Sequence, residues 1–234
     1  MDFGKTPKII VSADIAPNEA VQLAEKLLPV RDKIGALKVG SLHAMDTGLR
    51  GTIKMLKEVS DFPLIYDHQK GCSDIPDIVD LLVLLASDCG IDAVIGVPHG
   101  AGPKSLERFC TSCKSAGIEP IVLLEMTHVG AHDYHKEDTA RKIFDHIMEL
   151  GVKNIVAPGN KYERLREYRN WIDESGSGAK IMSPGIGSQG GQAEKAVKAG
   201  TDYPIVGRAI YLSEDPLKVV DEIYESAQRG YEKR

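Results

Sequence analysis

The sequence predicts an α/β fold, a (β/α)8 TIM barrel, and three observations favour it. The chain has 234 residues, close to the roughly 250 of such a barrel. Eight short apolar runs recur along it, separated by amphipathic segments of helix length, which is typical of parallel strands joined by helices. No Pro/Gly/Ser-rich linker separates two halves, and an open doubly wound sheet usually has fewer strands. We therefore expect one barrel domain over residues 1–234.

The predicted strands are short, each long enough to cross a barrel wall and little more. In chain order they cover residues 8–13, 36–39, 63–66, 93–95, 120–124, 154–157, 180–182 and 203–206. The segments between them repeat apolar residues at helical spacing. The clearest of these helical segments are residues 18–28, 52–59, 78–87, 104–116, 139–150 and 192–199.

Charge and hydropathy narrow the class of partner. Lys and Arg number 29 against 34 Asp and Glu, a net charge of −5, so no broad basic field is available for nucleic acid or an anionic membrane. No apolar run approaches the roughly 18 residues of a membrane span, and the first residues do not resemble a signal peptide. We expect a cytoplasmic protein that binds a small molecule.

Two motifs could suggest metal chemistry, but each has a simpler interpretation. Cys110 and Cys113 form a C-x-x-C pair without a second pair nearby, so a helix-surface or core position is expected. His132 and His135 lie three residues apart, and a solvated loop is expected there. The sequence therefore predicts no metal site.

Reactive residues fall where the predicted strands end, which is where barrel enzymes place their active sites. In chain order they are Asp14, Lys38, Asp67 with Lys70, His99, Glu125 with Thr127, Pro158, residues 183–189, and Gly207 with Arg208. Any one of these could be structural. Their common register along eight strands is harder to ascribe to chance.

A phosphate site is predicted after the last two strands. Residues 183–191 form a glycine-rich loop, whose backbone N–H groups can approach an anion closely. Gly207 and Arg208 follow the eighth strand, and the planar guanidinium of Arg208 matches phosphate oxygens in a bidentate way. A plain tight turn remains the alternative for the glycine run alone.

A charged cluster is predicted after the third strand. Asp67, Lys70 and Asp74 alternate in sign, and together with Lys38 they could hold one another ionised in a closed site. A protonated lysine there could give its proton to a carbanion. A solvated salt-bridge cluster on the surface is the alternative interpretation.

Seven segments spread over almost the whole chain carry a family resemblance. They are Ser12-Ala13-Asp14, Lys38-Val39-Gly40, residues 67–76, residues 124–128, Ala157-Pro158-Gly159, residues 183–191 and residues 206–212. In this order they resemble the orotidine 5′-phosphate decarboxylase family, most closely its shorter archaeal and microbial forms.

The resemblance implies roles at the charged end of the site. Lys70 would protonate C6 of the pyrimidine, and Asp67 would lie beside the substrate carboxylate and disfavour its charge. Asp14 would contact the ribose hydroxyls, and Lys38 would join the charged network. Asp74 would reach the partner's site across a homodimer interface.

The resemblance also implies roles at the other end, and no cofactor. Thr127 would contact the pyrimidine where the family commonly has Ser, and Pro184 would lie in the substrate-binding loop. Gln189 would bridge base and phosphate, while Gly207 and Arg208 would hold the phosphate. The implied reaction converts orotidine 5′-phosphate (OMP) to UMP and carbon dioxide without a metal or organic cofactor.

One departure affects the charged cluster. The family signature after strand three is Asp-x-Lys-x-x-Asp, whereas here each gap is one residue longer, at Asp67, Lys70 and Asp74. Residues two apart on a strand share a face and residues three apart do not. A bulge near His68 and Gln69 could restore the common direction.

Two other functions remain open at this point. A magnesium-dependent enzyme similar to the hexulose-phosphate synthases would share the barrel and its strand-three Asp and Lys. A catalytically silent nucleotide-binding homologue would keep the phosphate site alone. Residue 78 is Ile where the decarboxylase family often has Thr, which removes one small contact.

Overall fold

A computed structural model describes residues 1, 3–4, 6–133, 136, 138–187 and 189–234. Its eight parallel strands pair in chain order, and the eighth pairs with the first to close the barrel. The predicted (β/α)8 barrel is confirmed. The strands are β1 Ile9–Ser12, β2 Ile34–Val39, β3 Leu64–Asp67, β4 Ala93–Gly96, β5 Glu119–Leu123, β6 Asn154–Val156, β7 Lys180–Ser183 and β8 Tyr203–Val206.

Helices cover the outside of the barrel between the strands. They are α1 Pro17–Leu27, α2 Ser41–Met45, α3 Leu49–Val59, α4 Pro76–Ser87, α5 Pro103–Ser115, α6 Thr139–Glu149, α7 Tyr162–Ser175, α8 Ala193–Ala199, α9 Arg208–Tyr211 and α10 Pro216–Glu232. Four of them begin with proline, whose fixed φ suits the first turn and whose missing N–H would have no partner there. Short 3-10 turns occupy Leu28–Lys33, Pro98–Gly100 and Val129–His132.

Six helices lie where the sequence predicts them, with ends that differ by at most three residues. The two long helices α7 and α10 were not predicted. In α7 only Leu165, Tyr168 and Ile172 are buried, so a narrow apolar stripe is diluted by charged residues. Its helical period is therefore weak in the sequence.

Alternation along the strands divides the core into two layers. One set of side chains fills the barrel interior: Ile10, Ala36, Ile65, Ala93, Ile95, Ile121, Leu123, Val156, Met182, Tyr203 and Ile205. The other set, such as Val11, Leu37 and Tyr66, packs outward against the helices. At one end of the interior, the ring of Phe3 packs edge-on against Tyr203, with centroids 4.9 Å apart.

The cysteine and histidine motifs have structural positions. Cys110 and Cys113 lie on the buried face of α5 as free thiols, and burial raises the pKa of Cys110 to about 12. His132 ends a 3-10 turn, and His135 lies outside the described residues, so the loop expected there stays a prediction. Among the helices that the structure describes, none is long and apolar enough to cross a membrane.

Candidate active site

A cavity of about 230 Å³ opens at the carboxyl ends of the strands, where barrel enzymes place their active sites. Most of the predicted site residues line it. They are Asp14, Lys38, Asp67, Thr127, Pro184, Gln189, Gly207 and Arg208. Loops that are far apart in the sequence therefore converge on one site. The other two predicted residues, Lys70 and Asp74, are not among the lining residues.

The charged end of the cavity is built around a buried lysine. Lys38 is 6% exposed, and its Nζ lies 2.9 Å from Asp67 Oδ2 and 3.3 Å from Asp14 Oδ1. Burial lowers the pKa of Lys38, but attraction to Asp67 and Asp14 outweighs burial and raises the pKa above its ordinary value. Lys38 is therefore a fixed positive charge shared by two carboxylates.

Lys70 and Asp74 pair with each other beside this cluster. Lys70 Nζ lies 2.7 Å from Asp74 Oδ2, and the Lys70 side chain is 64% exposed. This hydrogen bond, with one from the backbone N–H of Ile75, lowers the pKa of Asp74. The two groups form a solvated ion pair at the rim, which matches the alternative interpretation of that part of the charge pattern.

The backbone after β3 explains where Lys70 points. β3 pairs in continuous register with β2 up to Tyr66 and with β4 up to Asp67, which lies opposite Ile95. The chain then turns, with the N–H of Gly71 donating to the carbonyl of His68 at 2.7 Å. The bulge considered for His68 and Gln69 is therefore not found in the strand pairing, and Lys70 stays out of phase with Asp67.

Gln69 and Glu125 also line the cavity: Gln69 was not singled out in the sequence, and Glu125 was predicted at a strand end without an assigned role. Gln69 Nε2 donates to Asp67 Oδ1 at 3.2 Å. Gln69 could have been found in the sequence, because it follows Asp67 by two residues and alternate residues of a strand share a face.

Glu125 is the centre of a buried polar network. It is 3% exposed, and its Oε1 accepts from Lys161 Nζ at 2.8 Å while Oε2 accepts from Arg164 Nε at 2.9 Å. The hydroxyl of Tyr168 also donates to Oε2. Burial and the charge of Glu125 raise the pKa of Tyr168, so its hydroxyl keeps its proton. The carboxylate is thus satisfied on both oxygens, as a buried charge must be.

The same network fixes the segment after β5. Lys161 Nζ also donates to the carbonyl of Met126 at 3.2 Å, and Asn160 Nδ2 donates to the carbonyl of Thr127 at 3.4 Å. The backbone at Met126 and Thr127 is therefore held by the two residues that precede α7.

The glycine-rich loop has the geometry that its sequence requires. Gly185, Gly187 and Gly190 all have φ between 82° and 90°, which favours glycine. The N–H of Gly191 donates to the carbonyl of Gly185 at 3.0 Å and closes the loop on itself. Gly207 lies so close to β1 that a Cβ there would be 3.1 Å from the carbonyl oxygen of Ser12. Arg208 is exposed at this end of the cavity.

Other features near the site are polar but carry no metal-binding arrangement. Among the residues that the structure describes, no group of three or more His, Cys, Asp or Glu side chains is placed to hold a metal ion. His99, predicted at a strand end, contacts the carbonyl of Leu124 through Nε2 at 3.2 Å.

The whole barrel, including every loop of this cavity, matches one protein family. Its model, described as the orotidine 5′-phosphate decarboxylase / HUMPS family, matches residues 7–223. The chain belongs to this family. The shared region includes all ten predicted site residues, so the resemblance seen in the sequence is confirmed.

Family relatives with curated names are similar along nearly their whole length. The orotidine 5′-phosphate decarboxylase of Methanosarcina mazei is 34% identical over 94% of this chain and 94% of its own. That of Pyrococcus furiosus is 34% identical over 94% of this chain and 97% of its own.

Solved structures of orotidine 5′-phosphate decarboxylases are similar to this chain over almost its whole length. The enzyme from Pyrococcus horikoshii superimposes with a TM-score of 0.79 at 33% identity, covering 94% of this chain and 99% of that one. The enzyme from Methanocaldococcus jannaschii, complexed with the inhibitor BMP, has a TM-score of 0.83 at 27% identity, covering 95% and 99%.

Proposed function

We propose that this chain is a carboxy-lyase that converts OMP to UMP and carbon dioxide, a step of pyrimidine biosynthesis. The observation that carries the proposal is the cavity itself. It joins a buried Lys38 between Asp14 and Asp67 at one end to the glycine-rich loop and Arg208 at the other. A nucleotide with a charged reacting group and a remote phosphate fits this polarity. The similarity to decarboxylases of the family supports the same substrate.

The end of the cavity with Gly207 and Arg208 binds the phosphate of the substrate, and the end with Lys38 is where the reaction takes place. Gly207 and Arg208 hold the phosphate, Pro184 and Gln189 line the loop above the nucleotide, and Thr127 contacts the pyrimidine. Binding of the remote phosphate then fixes the geometry at the reacting carbon. This division places the binding energy away from the bond that breaks.

At the charged end, Asp14 binds the ribose hydroxyls and Lys38 holds Asp14 and Asp67 in place. Asp67 lies beside the carboxylate of the substrate and raises its energy by repulsion. The bond from C6 to the carboxylate breaks, its electron pair stays on C6, and carbon dioxide leaves. A proton from the ammonium of Lys70 then forms the C6–H bond, and no redox step or cofactor is needed.

Lys70 must move to do this. In the structure it is paired with Asp74 at the rim, and its exposed side chain is free to exchange that partner for the substrate. The negative charge that develops at C6 is what attracts the ammonium inward.

We also propose a homodimer in which Asp74 reaches the partner's site. α4 and the residue before it expose large apolar side chains, with Ile75 at 63%, Leu81 at 55% and Leu85 at 62%. Such a face suits a symmetric interface. Asp74 directly precedes this face, so it would lie at the edge of that interface. A cytoplasmic location is proposed too, because the substrate is a charged nucleotide.

The test is loss of pyrimidine absorbance when purified protein meets OMP in the presence of EDTA. We expect turnover by the unmodified chain and a loss of about 10²–10⁴-fold in Lys70→Ala, the usual contribution of a positioned proton donor. Lys54→Ala, an exposed lysine on α3, is the matched control and should keep full activity. Binding of UMP without any turnover of OMP would contradict the proposal and indicate a silent nucleotide-binding protein.

A further inference from the structure

Gln69 occupies the direction in which the family signature aims its lysine. Along β3, Ile65 fills the barrel interior, Asp67 lines the cavity two residues later, and Gln69 lines it after two more. The longer gap in this chain moves Lys70 out of this series. A glutamine therefore lies beside Asp67 in the direction in which the family signature has a lysine.

The contacts of Asp67 show what Gln69 does. Its Oδ2 accepts from Lys38 Nζ at 2.9 Å, and its Oδ1 accepts from Gln69 Nε2 at 3.2 Å. Each oxygen thus has its own donor. With Lys38 alone, the carboxylate could rotate about its last bond, whereas two donors hold it in one orientation.

The charge of the donor matters as much as its position. Lys38 is one positive charge shared by Asp14 and Asp67, so this trio has a net charge of −1. The amide of Gln69 holds Asp67 without adding a positive charge to this trio. A neutral donor therefore preserves the repulsion that Asp67 exerts on a substrate carboxylate.

We propose that Gln69 is a positioning residue for the decarboxylation: its amide fixes the Asp67 carboxylate toward the substrate's carboxylate and adds no positive charge beside it. This inference rests on the proposed function. It assigns Gln69 no proton transfer, because a primary amide does not ionise in this pH range. Proton donation stays with Lys70.

Gln69→Ala tests the position of Asp67. We expect kcat for OMP to fall by about tenfold or more, the size associated with losing a hydrogen bond to a charged group. The inhibition constant of UMP should change by less than about twofold, because UMP has no carboxylate at C6 to meet Asp67. Gln22→Ala, an exposed glutamine on α1, is the control and should leave both values unchanged.

Gln69→Glu tests the charge. It keeps the length of the side chain but puts a second carboxylate against Asp67, so we expect a larger loss than in Gln69→Ala at pH 8. Because two adjacent carboxylates raise one pKa, activity relative to the unmodified chain should recover as pH falls and the pair takes up one proton. A merely structural role would not produce this pH profile.

Two outcomes would overturn the inference. One is unchanged kcat in Gln69→Ala, and the other is a parallel loss of OMP turnover and UMP binding, which would indicate a damaged site. Failure of the proposed function looks different, since the unmodified chain itself would then not convert OMP.

Discussion

At the scale of single residues, burial is balanced by contacts that come from distant parts of the sequence. Lys38 is buried because it meets Asp14, after β1, and Asp67, at the end of β3. Glu125 is buried because it meets Lys161, just before α7, and Arg164 in α7. Removing one partner of such a buried group leaves the other uncompensated, which costs more than the bond itself contributes. A substitution at any of these buried charged residues is therefore expected to lower stability as well as to affect the site.

His43 gives a prediction at this scale. It is fully buried at the start of α2, its Nδ1 accepts from the N–H of Gly40 at 3.3 Å, and burial lowers its pKa. Below pH 6.5 the unfolded chain binds a proton that the folded chain resists, so the free energy of unfolding falls as pH falls from about 6.5. The stabilisation is fully present above that pH.

We expect His43→Gln to lose this dependence. Its free energy of unfolding should fall less steeply than that of the unmodified chain between pH 6.5 and 5, by at most about 1.4 kcal/mol for each pH unit. Urea unfolding at a series of pH values measures it, and the two curves should run parallel above pH 7. Parallel curves below pH 6.5 as well would show that His43 is protonated in the folded state.

At the scale of elements, α4 is unusual because it has apolar side chains both on the face that packs on the barrel and on the face that points outward. Val79, Val83 and Ala86 pack on the barrel, while Leu81, Leu84 and Leu85 face outward. The outward face is the basis of the dimer that we propose.

Leu81→Lys tests that face. A charge buried in an apolar interface is costly, so we expect the protein to become a monomer and to lose most of its activity, because Asp74 would no longer reach a partner. Sedimentation equilibrium at micromolar concentration measures the first effect and the OMP assay the second. Leu28→Lys changes a partly exposed leucine away from α4 and should leave the dimer intact. A monomeric unmodified chain would contradict the proposed interface.

At the scale of the whole molecule, the last helix secures the closed ring. α10 packs on α8 and on β1, and near its end Lys233 and Arg229 both pair with Glu194 at the start of α8. Gly230 permits this approach. A Cβ at that position would overlap the carbonyl oxygen of Glu194 and lie 3.0 Å from its Cα.

Gly230→Ala is therefore expected to lower the free energy of unfolding by about 1–3 kcal/mol, the usual effect of overpacking against a backbone. Gly51→Ala is the matched control within α3, where a Cβ would lie 3.7 Å from Thr47 and in ordinary contact. It should raise stability by about 0.5–1 kcal/mol, because alanine is the better helix former. Urea unfolding of both variants measures the difference, and equal effects would refute the packing argument.

By itself the sequence determined the barrel, six of its outer helices and eight of the ten predicted residues around the cavity. Those features depend on local rules: apolar periodicity marks each strand and helix, and closure brings every strand end to one rim. Tertiary structure alone decided that Lys70 turns to Asp74 and that Gln69 meets Asp67. One added residue reverses the direction of a side chain, and only the path of the backbone after β3 settles which residues then point into the barrel.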